Sequence, residues 1–251
     1  MSKIKSIKSL YQQGGMSTLI YATMAYLKIE WLVLPIALDR IKRYEFQGIE
    51  QLVEFGSSTV GGIIKSLQVK EEIKELLELV KKHGVNSMIE IGTYNGGTLF
   101  FFTHVVSNNA LIISIDYPDI RFGGGYGNWR TKLYESFRLK GQYLHLVNAN
   151  SHNSRTLHKV NAILNNSRVD FIFIDGDHSY DGVKKDFEMY SSLLANDGMI
   201  AFHDIVEHPK ETGCEVSKFW NEVKYNTEYK SVEIIHDSKQ TSCGIGVLIK
   251  R

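Results

Sequence analysis

Residues 87–97 read Ser-Met-Ile-Glu-Ile-Gly-Thr-Tyr-Asn-Gly-Gly, a short apolar run that stops at Gly92 and leads through two more glycines into a helical pattern over 97–107. Four runs of the same kind follow: ALIISID (110–116), YLHLV (143–147), VDFIFID (169–175) and GMIAFHD (198–204). Helical stretches fit 129–139, 154–164, 180–194 and 215–225. Apolar runs without polar alternation mark strands covered on both faces, and their alternation with helices marks a parallel sheet. Upstream, Ile73, Leu76, Leu77 and Val80 fall on one helical face, with glutamates early, lysines late and Gly84 at the stop. At the other end SVEIIH (231–236) and GIGVLIK (244–250) have no helix between them and read as an antiparallel pair. The expected fold is α/β: a doubly wound, mostly parallel seven-stranded sheet with a helical amino-terminal extension.

The chain has 251 residues, 43% hydrophobic and 23% charged, which excludes disordered, collagenous and coiled-coil classes. A formal net charge of +1 gives no overall basic field, so nucleic acid is not an expected partner. Cys214 and Cys243 are far apart and outside any C-x-x-C pair, so neither a zinc ribbon nor a disulfide framework is read here. The opening MSKIKSIKSL has no continuous apolar core of a signal peptide, and a cytoplasmic setting is expected. Residues 1–48 stand apart, with seven basic and three acidic side chains, a net +4 against −3 for the remainder. Lys28, Glu30 and Pro35 interrupt their apolar stretch, so a clean membrane span is not expected. We divide the chain into an extension, 1–48, and a main domain, 49–251. The favoured reading of the extension is a helical arm packed on the domain or on a second subunit in a homo-oligomer. Peripheral contact with a membrane surface is the lesser reading.

In such sheets, ligands sit beyond the carboxyl ends of the strands. The first strand exits into Glu90-Ile91-Gly92-Thr93-Tyr94-Asn95-Gly96-Gly97, where glycines let a ligand approach the backbone or merely let the chain reverse. The G-x-x-x-G-G spacing misses the dinucleotide fingerprint G-x-G-x-x-G, and no Lys-Ser/Thr of a P-loop follows. Asp116 ends the second strand, where a carboxylate can accept both hydroxyls of a ribose or simply cap a turn. Asp175 ends the fourth strand and Asp204 the fifth, with His203 beside it. If the strands are neighbours, the two carboxylates repel unless a cation or proton lies between them, and His203 adds a nitrogen ligand. This mixed set suits Mg²⁺, Mn²⁺ or Fe²⁺. The alternative is that Asp175 caps the next helix and Asp204 binds loop N–H groups. His178, three residues beyond Asp175, is the candidate general base, and His152 a weaker one. The loop FGGGYGNWR (122–130) offers Tyr126 and Trp129 to close over an acceptor and Arg130 to orient an anionic one.

Glu90–Gly97, Asp116, FIDGDHSYDGVKKDFEMY (173–190) and DGMIAFHDI (197–205) resemble the class I S-adenosylmethionine-dependent methyltransferases, in particular the cephalosporin-hydroxylase-like, macrocin-type O-methyltransferases. GGGYGNWRTKLYESF (123–137) and the His152 region are also similar to that group. The resemblance covers roughly residues 60–250 and implies a Rossmann-like methyltransferase fold. It implies that Glu90, Gly92 and Gly96 line the methionine end of S-adenosylmethionine, that Thr93, Tyr94 and Gly97 also bind the cofactor, and that Asp116 holds its ribose. Asn150 and Ser151 border the adenine in this reading, with Asn150 standing where the group usually has Asp. Asp175, which also borders the cofactor, joins His203 and Asp204 as ligands of a divalent cation, Mg²⁺ first, with His203 replacing an acid. His178 becomes the base, in partnership with Asp175. The implied acceptor is a hydroxyl of a sugar, glycan or glycosylated small molecule. Competing readings are a nicotinamide-dependent oxidoreductase and a non-catalytic scaffold that keeps the cofactor fold.

Overall fold

The computed structural model describes residues 20, 23–24, 29–118 and 126–251. Seven strands form one sheet: β1 (Ser87–Ile91), β2 (Leu111–Asp116), β3 (Tyr143–Asn148), β4 (Val169–Ile174), β5 (Leu194–His203), β6 (Tyr229–Ile234) and β7 (Ile245–Lys250). Their order is β3-β2-β1-β4-β5-β7-β6. The pairs from β3 to β5 are parallel, while β7 runs antiparallel to both β5 and β6. The chain therefore winds outward from β1 to one edge, returns through β4 to the other, and leaves a crevice beyond the β1 and β4 carboxyl ends.

Strand side chains alternate between two layers, as the pleat requires. Met88, Ile112, Phe171 and Phe173 face a core shared with α1 (Leu34–Arg43), α2 (Ile49–Ser58), α3 (Lys70–His83), α4 (Gly97–Val105) and α5 (Asn128–Glu135). Ile89, Ile113, Ile172 and Ile174 face a second core shared with α6 (Ser154–Ile163), α7 (Tyr180–Tyr190) and α8 (Val216–Val223). Helix α4 is buried nearly all round, which its Leu-Phe-Phe-Phe run demands. Val33, Ala37 and Ile41 join the first core, so this part of the amino-terminal extension packs on the domain. No helix among the described residues is long and apolar enough to cross a membrane.

The helix expected at 129–139 stops at Glu135, and that expected at 180–194 stops at Tyr190 because Leu194 already pairs with Val169 in the sheet. β5 consequently starts earlier than the apolar run GMIAFHD, and its register on β4 shifts between Val169 and Phe171. β3 is an edge strand with Tyr143 and His145 exposed, not one covered on both faces. The last hairpin begins its first arm at Tyr229, two residues before the expected run.

Two buried features tie β1 to its neighbours. Gly92, at φ +100°, donates its N–H to the Ile115 carbonyl at 2.8 Å, and Asp175 N–H reaches the Ile91 carbonyl at 2.8 Å. A Cβ at residue 92 would stand 2.0 Å from the Asp175 carbonyl oxygen. The second feature is Glu90, which has no exposed surface. Thr98 Oγ1 donates to its Oε1 at 2.7 Å and Ser114 Oγ to its Oε2 at 2.5 Å, while Thr93 Oγ1 lies 2.6 Å from Ser114 Oγ. Burial pushes the Glu90 carboxyl up to about 8, against the pull of the Ser114 and Thr98 hydroxyls.

We expect Gly92→Ala to lower stability by about 3 kcal/mol in chemical denaturation, because both the backbone conformation and the Asp175 carbonyl oppose a side chain. Glu90 holds its proton more tightly folded than unfolded. Its stabilising contribution is thus complete below the unfolded value near 4.5 and is lost as pH rises through about 8. The stability difference between wild type and Glu90→Gln should shift in favour of the amide across that window, by on the order of 4 kcal/mol. A pH-independent difference would show that Glu90 ionises normally.

Candidate active site

At the β1 exit Asp116 is committed partly to the protein. Its Oδ1 accepts the N–H groups of Thr93 at 3.1 Å and Tyr94 at 3.3 Å, holding the turn with Tyr94 at φ 46°. The capping role weighed for Asp116 is therefore present, beside whatever a ribose would add. Tyr134 Oη donates to the Tyr94 carbonyl at 2.6 Å and its ring fills the space a Cβ on Gly96 would need. Gly97 is similarly required by the chain itself, since a Cβ there would meet the Ser66 nitrogen at 2.5 Å. These glycines serve close protein packing as well as any ligand approach. Glu90 lies beneath the turn, bonded to Thr98 and Ser114 as described above. Tyr126 brings a buried Oη, with no hydrogen-bond partner among the described residues, into the field of Asp116 and Glu90. An orphaned hydroxyl of this kind beside a glycine turn fits a site built for a polar nucleoside ligand.

On the β3 side Asn150 is exposed, and its Oδ1 accepts the His152 N–H at 2.8 Å. The Ser151 carbonyl accepts from Tyr190 Oη at 3.0 Å. His152 turns its Nε2 to the fully buried Asp186, 3.3 Å away, so it stands outside the imidazole cluster of the β4 and β5 exits. Asp186 holds the His152 imidazole above its usual range, against the effect of burial. Arg130 donates through one guanidinium nitrogen to the carbonyls of Ile63 at 3.2 Å and Asn95 at 3.4 Å, so it braces the turn. In the expected acceptor loop, Trp129 packs on the first core, and residues 122–125 lie outside the described residues.

β4 and β5 pair in parallel through Ile174 and Phe202, so Asp175 and the His203–Asp204 pair leave the sheet side by side. His178 Nε2 lies 3.2 Å from Asp175 Oδ1, and its Nδ1 lies 3.0 Å from Asp204 Oδ2. His203 Nδ1 lies 3.2 Å from Asp175 Oδ1 and 3.3 Å from Asp204 Oδ1. These last contacts are electrostatic, since neither ring nitrogen of His203 is aligned for a hydrogen bond although the residue is only 4% exposed. The four residues predicted for metal and base thus meet at one point. Asp204 adopts φ 66°, a conformation an aspartate holds at a cost.

Hydrogen bonds to Asp175 and Asp204 push the His178 imidazole up to about 12. Burial pushes Asp175 and Asp204 upward, but the flanking imidazoles outweigh it and hold both carboxyls below the usual range. Burial opposes a charge on His203, yet Asp175 beside it keeps the imidazole well above its ordinary value. The cluster is self-neutralising, with two carboxylates against two imidazolium ions. His178 accepts a proton only when another positive charge takes over its two carboxylates. Two carboxylates, with the His203 imidazole once it has given up its proton, form a chemically competent donor set for a divalent cation.

Several members were not identified from the sequence. Gln68 Nε2 donates to Asp175 Oδ2 at 2.7 Å across 107 positions of chain, a contact with no local signal. His208 Nε2 lies 3.1 Å from Asp204 Oδ1 and accepts the Cys243 N–H at 3.2 Å. Cys214 and Cys243, unpaired in sequence, each approach the cluster. The i, i+4 spacing of Asp204 and His208 in HDIVEH was the one available clue. A cavity of about 1070 Å³ lies elsewhere, lined in part by His104, Phe46 and Arg138. It holds none of the strand-end carboxylates, so it is not the candidate site.

Residues 89–205 match a family model described as a methyltransferase domain. An uncharacterised protein, R132, from Acanthamoeba polyphaga mimivirus is 26% identical over 120 residues, covering 48% of this chain and 52% of that protein. The chain therefore spans about half the length of that curated relative. Among solved structures, an O-methyltransferase from Bacillus cereus in complex with SAH superposes with a TM-score of 0.55 at 15% identity, over 83% of this chain and 93% of that one. The O-methyltransferase TomG from Streptomyces achromogenes, involved in tomaymycin synthesis and solved with SAM, gives 0.52 at 12% identity over 82% and 91%. At these identities the likeness carries the fold. With the β3-β2-β1-β4-β5-β7-β6 sheet it shows a Rossmann-like methyltransferase fold, within which residues 89–205 match a methyltransferase domain.

Proposed function

We propose that the protein transfers a methyl group from S-adenosylmethionine to a hydroxyl oxygen, with help from a divalent cation. The acceptor in this reading is a sugar, glycan or glycosylated small molecule, and the setting is cytoplasmic. The observation that supports it most is the meeting of Asp175, His178, His203 and Asp204 beside the Asp116 turn. Bound S-adenosylmethionine supplies a methyl already activated on a sulfonium, so the chain's remaining work is positioning and proton removal. Asp116, Tyr126 and the 92–97 turn would hold the nucleoside and methionine ends, and Asn150 and Ser151 would border the base.

Asp175, His203 and Asp204 would hold the cation, which lowers the pKa of an acceptor hydroxyl. With the charge of Asp175 and Asp204 taken up in this way, His178 is released to act as base. It accepts the hydroxyl proton as the oxygen–carbon bond forms and the carbon–sulfur bond breaks, its electron pair remaining on sulfur. Adjacent hydroxyls of a sugar suit chelation by a single ion, which supports the choice of acceptor class.

Calorimetry with S-adenosylmethionine and S-adenosylhomocysteine tests the cofactor half. Asp116→Ala should weaken both at least about tenfold by removing the ribose acceptor and loosening the Thr93–Tyr94 turn. Absence of binding by the wild-type chain would overturn the reading. His178→Ala should lower the methylation rate by roughly 10²–10⁴ while leaving cofactor affinity unchanged. An unchanged rate would remove His178 from the chemistry.

A further inference from the structure

Two trios of donors among the described residues bring a cysteine into the strand-end cluster: His178, Asp204 and Cys214, and His203, Asp204 and Cys243. In each trio the candidate ligand atoms all lie within 4.8 Å of one another. The first is already satisfied internally, because both nitrogens of His178 face carboxylate oxygens at 3.0–3.2 Å. The second is satisfied only in part. Nδ1 of the buried His203 faces Asp175 and Asp204 oxygens at 3.2 and 3.3 Å without hydrogen-bond geometry, and its Nε2 has no hydrogen-bond partner among the described residues. A buried ring nitrogen left in this state costs free energy unless something else coordinates it.

The backbone singles out the same trio. Asp204 and Cys243 both sit in the left-handed region, at φ 66° and 65°. Cysteine gains nothing locally from that conformation, and glycine would adopt it freely. The turn is nevertheless pinned: Cys243 N–H donates to His208 Nε2 at 3.2 Å, and the following Gly244 N–H donates to the buried Glu72 Oε2 at 2.9 Å. Glu72 also accepts from His236 N–H at 3.1 Å and Gln240 Nε2 at 2.7 Å through its Oε1. Helix α3 thus fixes the loop between β6 and β7 so that a thiol is held against His203 and Asp204. Strain maintained by several converging hydrogen bonds is what functional positions display.

We infer that His203, Asp204 and Cys243, with Asp175 as a fourth donor, form a site for a thiolate-accepting transition ion of the Zn²⁺, Fe²⁺ or Co²⁺ class rather than for Mg²⁺. This rests on the metal-assisted reading above and deepens it by naming a ligand and the class of ion. Mg²⁺ takes oxygen ligands in near-octahedral geometry and has little affinity for sulfur. One imidazole, one thiolate and two carboxylates match the preferences of borderline ions.

The test uses the full chain, stripped with a chelator and titrated with Co²⁺, Zn²⁺ and Mg²⁺ separately. Cobalt binding should produce a near-ultraviolet sulfur-to-cobalt charge-transfer band. Zn²⁺ should abolish that band by competition, and Mg²⁺ should leave it at equal concentration. Cys243→Ser should lose the band and weaken cobalt binding at least about tenfold, while Cys214→Ser keeps both. Because serine at φ 65° could disturb the turn, Cys243→Gly provides the second variant. It should raise the melting temperature by relieving the backbone, yet lose the band. A band that survives in Cys243→Ser and Cys243→Gly, or vanishes only in Cys214→Ser, overturns the assignment. Tight Mg²⁺ binding that displaces cobalt also overturns it, but leaves a metal-assisted methyltransferase standing. No binding of any ion overturns both metal statements, while S-adenosylmethionine calorimetry reports separately on the methyltransferase reading.

Discussion

Two carboxylates leave a parallel sheet on adjacent strands, and much of the site follows from the need to neutralise them. Asp175 and Asp204 cannot stand together in a half-dry crevice as bare anions. His178 lies between them and His203 faces both, at 3.0–3.3 Å. Gln68 then reaches the second oxygen of Asp175 from a distant part of the chain, and His208 approaches the Asp204 Oδ1 that His203 also faces. A cluster that balances its own charge can fold without a ligand and still exchange its internal counter-ions for an external one. That exchange is what links a cation to the availability of His178 as a base.

The cofactor side obeys a different constraint, close packing. The β1 turn is pressed between the Asp175 carbonyl, the Tyr134 ring and the chain at Ser66, and each approach requires a glycine where it occurs. Asp116 fastens this turn through two backbone N–H groups. The turn's shape therefore exists before any ligand arrives, which reduces the ordering cost of binding. Glu90 secures it from below, with a chain of hydroxyls from Thr93, Ser114 and Thr98 replacing water.

The strands could be read directly because each is a short apolar run ended by a glycine or a carboxylate, and five of them pair in parallel as their composition requires. Helix ends were less legible. The apolar period through Leu193 and Leu194 suits a helix locally, but pairing of Leu194 with Val169 recruits that segment into β5. Asp175, His178, His203 and Asp204 could be named because they follow strands at the edge where ligands collect. Gln68, His208, Glu72 and Cys243 could not, since their roles arise from contacts across long stretches of chain. Arg130 was named for its charge alone, and the carbonyls of Ile63 and Asn95 that it braces gave no signal in the sequence.

By itself the sequence determined the order of strands and helices, the two-layer alternation of the core and the identity of the residues at the strand ends. Those properties are local, set by hydrophobic period and by where the chain must turn. Only the tertiary structure decided that His178 is clamped by two carboxylates, that His203 faces both of them with its Nε2 unbonded among the described residues, and that Cys243 is turned toward it against its backbone preference. Hydrogen-bond direction and charge balance depend on distances of about 3 Å between segments that meet only after the sheet has closed, and no spacing along the chain encodes them.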